Sequence, residues 1–213
     1  MMMKYLPQIL SCVIAVTMPC IAGAGAYEDM LSAVGMKDTD KVRRLLQRGM
    51  DPNTSDPIGN TLLMQAARNG DYQTLDLLLK NKANVLKVNK YRDSALMLAA
   101  LNGCLPCVRA LTEADAEIDP EGWTPLIYAA FEGHVDVVRY LLELDIDVDA
   151  QSDTGITALM AASRNNHVDI VKLLLERDAD VFLKNQNDQT ALDIATVAGN
   201  AEVAAALAKW MHR

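Results

Sequence analysis

Two cysteines three residues apart, in the stretch Gly103-Cys104-Leu105-Pro106-Cys107, are the side chains best suited to covalent chemistry. A Cys-x-x-Cys pair at the start of a helix is a thiol–disulfide motif, because the helix N-terminus favours the thiolate. The competing reading is plainer: two small apolar residues packed in a helix, joined as a disulfide or left reduced. His134 and His167, in the same Gly/Asn-His setting, are candidate metal ligands by spacing. No Cys or carboxylate recurs nearby at ligand distance, so no metal site is expected. Asp145, Asp147 and Asp149 stand in the order of a calcium loop. Ala150 occupies the place of the required Gly and Ile156 that of the bidentate Glu, which leaves a solvated acidic strand as the better account. The chain shows no nucleophile–base pair, no phosphate-cradling glycine loop and no basic aromatic stripe. Neither a catalytic residue nor a cofactor is expected.

The first residues, MMMKYLPQILSCVIAVTMPCIAGAGA, set the compartment in which the thiols would work. Lys4, an apolar stretch around Ile9–Met18 and the small residues Ala22-Gly23-Ala24-Gly25-Ala26 follow the order of a secretory signal peptide. Pro7, Gln8, Ser11, Thr17 and Pro19 interrupt the apolar run, short of the roughly 20 residues that span a bilayer. Cleavage after Ala26 is expected, giving a periplasmic or secreted protein of residues 27–213 with no membrane span. It removes Cys12 and Cys20 and leaves Cys104 and Cys107 as the remaining pair. The formal net charge of −8 opposes nucleic-acid binding, which needs a basic face. A basic protein partner suits it better.

The chain repeats. Aligning Thr61, Ser94, Thr124, Thr157 and Thr190 superposes TLLMQAARNG, SALMLAALNG, TPLIYAAFEG, TALMAASRNN and TALDIATVAG, with a weaker copy from about Glu28. Ala33, Ala66, Ala99, Ala129, Ala162 and Ala195 fall at one register, and Leu45, Leu78, Leu111, Leu141, Leu174 and Leu207 at another. A small residue lets helices approach closely, and a Leu fills the layer between them. The hydroxyl opening each of the last five copies suits a helix N-cap. Gly70, Gly103, Gly133 and Gly199, with Asn166 in their place once, suit a left-handed helix end. Second helices such as HVDVVRYLLE are apolar at i, i+3, i+4 and i+7.

This pattern resembles the ankyrin repeat, whose period is about 33 residues and whose helix opens T-P-L-H-x-A. The resemblance implies an all-α solenoid of about six helix–turn–helix units with β-hairpin-like fingers. Units are expected near 28–60, 61–93, 94–123, 124–156, 157–189 and 190–213. The sequence departs from the pattern where Met64, Met97, Ile127, Met160 and Asp193 replace the motif His, so the usual hydroxyl-to-imidazole bond is expected to be absent. Three residues are missing between Ile118 and Thr124, which shortens one finger and predicts a notch in the binding face. The outer copies read as end caps, the first highly charged and the last Ala-rich and closing with Trp210. In this frame Cys104 takes the register of His134 and His167, and Cys107 the inward register of Val137 and Ile170.

The resemblance further implies a non-catalytic module that binds a folded protein through finger tips and the concave face of the first helices. Those registers give Ile58 and Asn60, Tyr91 and Asp93, Glu121 and Trp123, then Ile156 on the fingers. On the helices they give Arg68, Leu101, Phe131, Glu132, Arg164 and Asn165. Trp123 and Phe131 stand out in a chain with two Trp and two Phe, since aromatics dominate binding hot spots. The expected protein is a monomer when free, acting as an adaptor or inhibitor of a cell-envelope enzyme, such as a peptidoglycan-processing one. The alternatives are a thiol redox protein or sensor built on Cys104 and Cys107, and a secreted effector acting on host proteins.

Overall fold

A computed structural model describes Cys20–Met211, with side chains from Gly25 onward. The charged and apolar regions of the expected signal peptide lie outside the described residues. Among the described residues twelve helices follow one another in six antiparallel pairs: α1 (Cys20–Gly35) with α2 (Thr39–Gln47), α3 (Leu62–Arg68) with α4 (Tyr72–Lys80), α5 (Ala95–Asn102) with α6 (Leu105–Glu113), α7 (Pro125–Glu132) with α8 (Val135–Leu141), α9 (Ala158–Arg164) with α10 (Val168–Leu175), and α11 (Ala191–Val197) with α12 (Ala201–Met211). Among the described residues there are no strands, only the isolated bridges Ser55–Thr61 and Val88–Ser94 at the bases of two fingers. The expected cleavage point after Ala26 falls within α1. Tyr27, just beyond it, donates its hydroxyl proton to the Ser55 carbonyl at 2.8 Å and ties this helix to the first finger.

First helices stack on first helices and second on second, so each unit contacts its neighbours and little else. The repeated alanines are buried throughout, and the repeated leucines fill one continuous core from Met30 to Leu207. That is how a solenoid of helices, all but the first too short to persist alone in water, becomes stable.

Caps fix where each first helix begins. Thr61, Ser94, Thr124, Thr157 and Thr190 each accept from the backbone N–H three residues on. In three copies the residue standing in place of the motif His makes a bond of its own, back to the N-cap N–H. Met64 Sδ accepts the Thr61 N–H at 3.3 Å, Met97 Sδ accepts that of Ser94 at 3.1 Å, and Asp193 Oδ2 accepts that of Thr190 at 2.9 Å. A thioether is a weak acceptor, yet it satisfies a buried donor that would otherwise be orphaned. At the other end of α7, Gly133 adopts φ +88°, and Asn166 takes the same left-handed role at φ +60°.

Candidate functional site

Cys104 is the N-cap of α6, and its Sγ accepts the Cys107 N–H at 3.3 Å. Cys107 is fully buried in the core, and the two sulfurs are joined as a disulfide with Cα atoms 5.2 Å apart. In the same register His134 and His167 make no cap bond. Their Nε2 atoms instead lie 3.0 Å from the carbonyls of Leu101 and Phe131 in the preceding unit. Each ring is therefore held against backbone, and among the described residues no cluster of three or more potential ligands forms.

The first helices of the last three units and the fingers that precede them line a groove of about 780 Å³. Trp123, Phe131, Ile156, Arg164, Ile194 and Val197 are among its lining residues. Four of these are candidates read from the sequence, and the structure brings them to one place. Trp123 directly precedes the Thr124 N-cap, at the base of the shortened finger. Its ring meets Phe131 edge-on with centroids 6.0 Å apart, and leans on Tyr128 at 5.0 Å. Arg164 supplies the only charge in the lining and forms no ion pair among the described residues. Val197, 80% exposed, occupies in the last unit the register of Arg68, Leu101, Phe131 and Arg164. Extending that register by one copy would have found it.

Other candidates divide. Tyr91, Arg68, Glu121 and Glu132 are exposed, and Ile58 is half-buried. Leu101 packs largely against the core. Asn60 is only 3% exposed, and its assignment to the binding face is corrected: its Nδ2 donates to Asp56 at 2.9 Å and its Oδ1 accepts from Asn89 at 2.8 Å. Asn89 passes the chain on to Asp93 at 3.1 Å, and Asp93 accepts the Tyr128 hydroxyl at 2.8 Å. Asp93 is thus a structural acceptor linking a finger to the next unit but one helix away. Asn165 is likewise committed, donating to the Phe131 carbonyl at 2.7 Å. Burial of Tyr128, with Asp93 beside it, pushes the phenol well above its ordinary range.

Finger edges carry the acidic residues. The Asp119 carboxylate accepts the Asp147 N–H at 3.1 Å, and that of Asp149 accepts the Asp180 N–H at 2.9 Å. Partial burial, reinforced by the neighbouring aspartates, holds both above the usual carboxylate range despite those bonds. Asp147 and Asp149 therefore tie neighbouring fingers together while Asp145 is exposed, and the segment is a bend and turn rather than the expected strand.

An array of stacked helix pairs with sideways fingers and a groove across its first helices defines a repeat protein built to bind other proteins. The sequence profile of ankyrin repeats matches it three times, over residues 30–120, 63–152 and 145–212. The chain belongs to the ankyrin repeat family. Its fold is similar to the human ASB11 ankyrin repeat domain, with a TM-score of 0.80 and 27% identity over 85% of this chain and 82% of that one. In sequence it is similar to the Arabidopsis thaliana putative E3 ubiquitin-protein ligase XBAT31, 38% identical over 80 residues, which are 36% of this chain and 18% of that protein. It is also similar to human protein phosphatase 1 regulatory subunit 27, 34% identical over 100 residues, or 45% of this chain and 65% of that protein. Both matches span less than two thirds of the relative. Ankyrin repeats are protein-binding units, typically without catalysis, and no helix among the described residues is long and apolar enough to cross a membrane.

Proposed function

We propose that this chain is an exported, non-catalytic binding protein that takes a folded partner in the groove between its last three first helices and the fingers preceding them, and acts as a periplasmic adaptor or inhibitor of a cell-envelope enzyme. One observation carries the reading: Trp123, Phe131, Ile156 and Arg164 line a single groove from three different units. Side chains that serve only to stack units have no need to converge in this way. Aromatic anchors beside a lone arginine are the composition of an interface hot spot. The regulatory role is supported by a relative named as a phosphatase regulatory subunit, which is precedent for acting on an enzyme by binding it. The formal charge of −8 suits a basic partner, with a peptidoglycan-processing enzyme as the leading case. Export rests on the order of residues 1–26.

The test is recovery of a partner from an envelope fraction, followed by calorimetric titration of variants. Trp123→Ala and Phe131→Ala are each expected to weaken binding by about 2 kcal/mol. Lys172→Ala, on the exposed side of α10, is expected to leave it unchanged. Thermal melts of each variant separate a lost contact from a collapsed unit. Full-strength binding by both folded aromatic variants would place the interface elsewhere. N-terminal sequencing of the mature protein checks export, with Tyr27 expected first.

A further inference from the structure

We propose that the Cys104–Cys107 disulfide is an exchange site for thiols and disulfides, entered only at Cys104, and separate from the binding groove. Three second helices share one construction at their N-caps. Asp38 accepts the Lys41 N–H at 2.8 Å, and Asp71 accepts that of Thr74 at 3.2 Å. Cys104 Sγ accepts that of Cys107 at 3.3 Å in the same register. The fold therefore holds a carboxylate at this position in two neighbouring units. A Cys104 thiolate would occupy a place already built for an anion, at the N-terminus of a nine-residue helix. Cys107 has the opposite surroundings. It stands in the register of Val137 and Ile170, all three fully buried in the apolar core, where a thiol stays neutral and out of reach. Cys104 is half-buried, and beside it Pro106 is exposed. Cys104 thus combines an anion-favouring cap with a half-buried position at the edge of the core, while Cys107 waits behind it.

The chemistry balances within the pair. In the reduced protein the Cys104 thiolate attacks an incoming disulfide, forming a mixed disulfide and releasing one thiolate. Cys107 then attacks Cys104 Sγ, its proton passing to the departing sulfur, which closes the bond and expels the second thiol. Two electrons pass from the cysteine pair to the incoming disulfide, and an external thiol pair reverses the sequence. The co-reactant is a thiol or disulfide carried by a small molecule or by a protein.

The test uses the full chain, with peptide mass mapping to read each cysteine separately. In the Cys107→Ser variant, Cys104 is expected to react with iodoacetamide at neutral pH roughly tenfold faster than glutathione. In the Cys104→Ser variant, Cys107 is expected to react only as fast as the protein unfolds. Reduced parent protein is then offered oxidised glutathione or insulin, the first standing for small-molecule disulfides and the second for protein ones. Closure of the Cys104–Cys107 bond with either supports the proposal and tells the two sources apart. It is overturned if Cys104 reacts no faster than glutathione, if Cys107 reacts as readily as Cys104, or if neither disulfide reoxidises the pair.

Discussion

Replacing Tyr128 by Phe removes one hydroxyl and nothing else, and the structure says what that hydroxyl holds. It donates at 2.8 Å to Asp93, at the root of the finger that precedes α5, and so spans the gap beside the shortened finger. Hydrogen bonds to charged groups contribute about 1.5–3 kcal/mol. Asp93 keeps its bond from Asn89 at 3.1 Å and stays partly solvated, which places the loss near the lower end, about 1.5 kcal/mol. A second readout comes from pH. The Tyr128 phenol is raised in the folded state by burial and by Asp93, so its contribution is complete below the unfolded value of about 10. Above that, the unfolded phenol ionises before the folded one, and the parent loses at most about 1.4 kcal/mol per pH unit that the Phe variant keeps, less because solvent screens the half-buried ring. Urea denaturation followed by far-ultraviolet circular dichroism at neutral pH and near pH 11 is the assay. The parent is expected to be more stable at neutral pH and to lose that advantage at the alkaline end. Equal stability at neutral pH, or a gap that does not narrow on alkalinisation, would refute the assignment.

The turns and the thiols give two further expectations. Gly133→Ala would place a Cβ 2.5 Å from the His167 ring at φ +88°, whereas Gly199→Ala at φ +76° meets nothing within 4 Å. The first is expected to cost about 2 kcal/mol, the left-handed strain plus the imidazole bond to Phe131, and the second about 1 kcal/mol. Denaturation midpoints of the two variants compare them directly, and equal costs would mean the ring contact contributes nothing. The double substitution Cys104→Ala with Cys107→Val is expected to lower stability by no more than about 3 kcal/mol, since a four-residue loop is worth about 2 and a cap about 1. Partner binding should survive it, as the pair lies away from the groove.

How far residues could be read ahead of the structure depended on whether their role is local or shared between units. Ala66 or Leu78 declares itself, because the same residue type recurs wherever the same layer must be filled. Trp123 and Phe131 were legible by register and by rarity, and they do meet. Asn60, Asp93 and Asn165 sit in equally exposed registers on paper but are committed to neighbours about 30 residues away. Nothing in a single copy signals a bond made to the next one. Tyr128 escaped for the same reason: its register holds Gln65, Leu98, Ala161 and Ile194 elsewhere, and only Asp93 across the junction gives it a purpose. The sulfur caps of Met64 and Met97 were invisible to a motif that expects imidazole, although spacing alone put a weak acceptor in the right place.

The missing residues of the third finger have a mechanical consequence. Elsewhere the fingers are latched by main chain: the Lys90 N–H donates to the Ile58 carbonyl at 3.1 Å, and the Gln186 N–H to that of Thr154 at 3.0 Å. Among the described residues no backbone bond joins the short finger to either neighbour. It is held by side chains, through the exposed pair of Arg92 and Glu121 and through Asp119 to the Asp147 N–H. A stack whose units grip only their neighbours bends where the grip is weakest. The finger edge is therefore most compliant around the third finger, which carries Trp123. Flexing the array by a few degrees moves one wall of the groove against the other, so its width can adjust to what enters it without unpacking the helices behind.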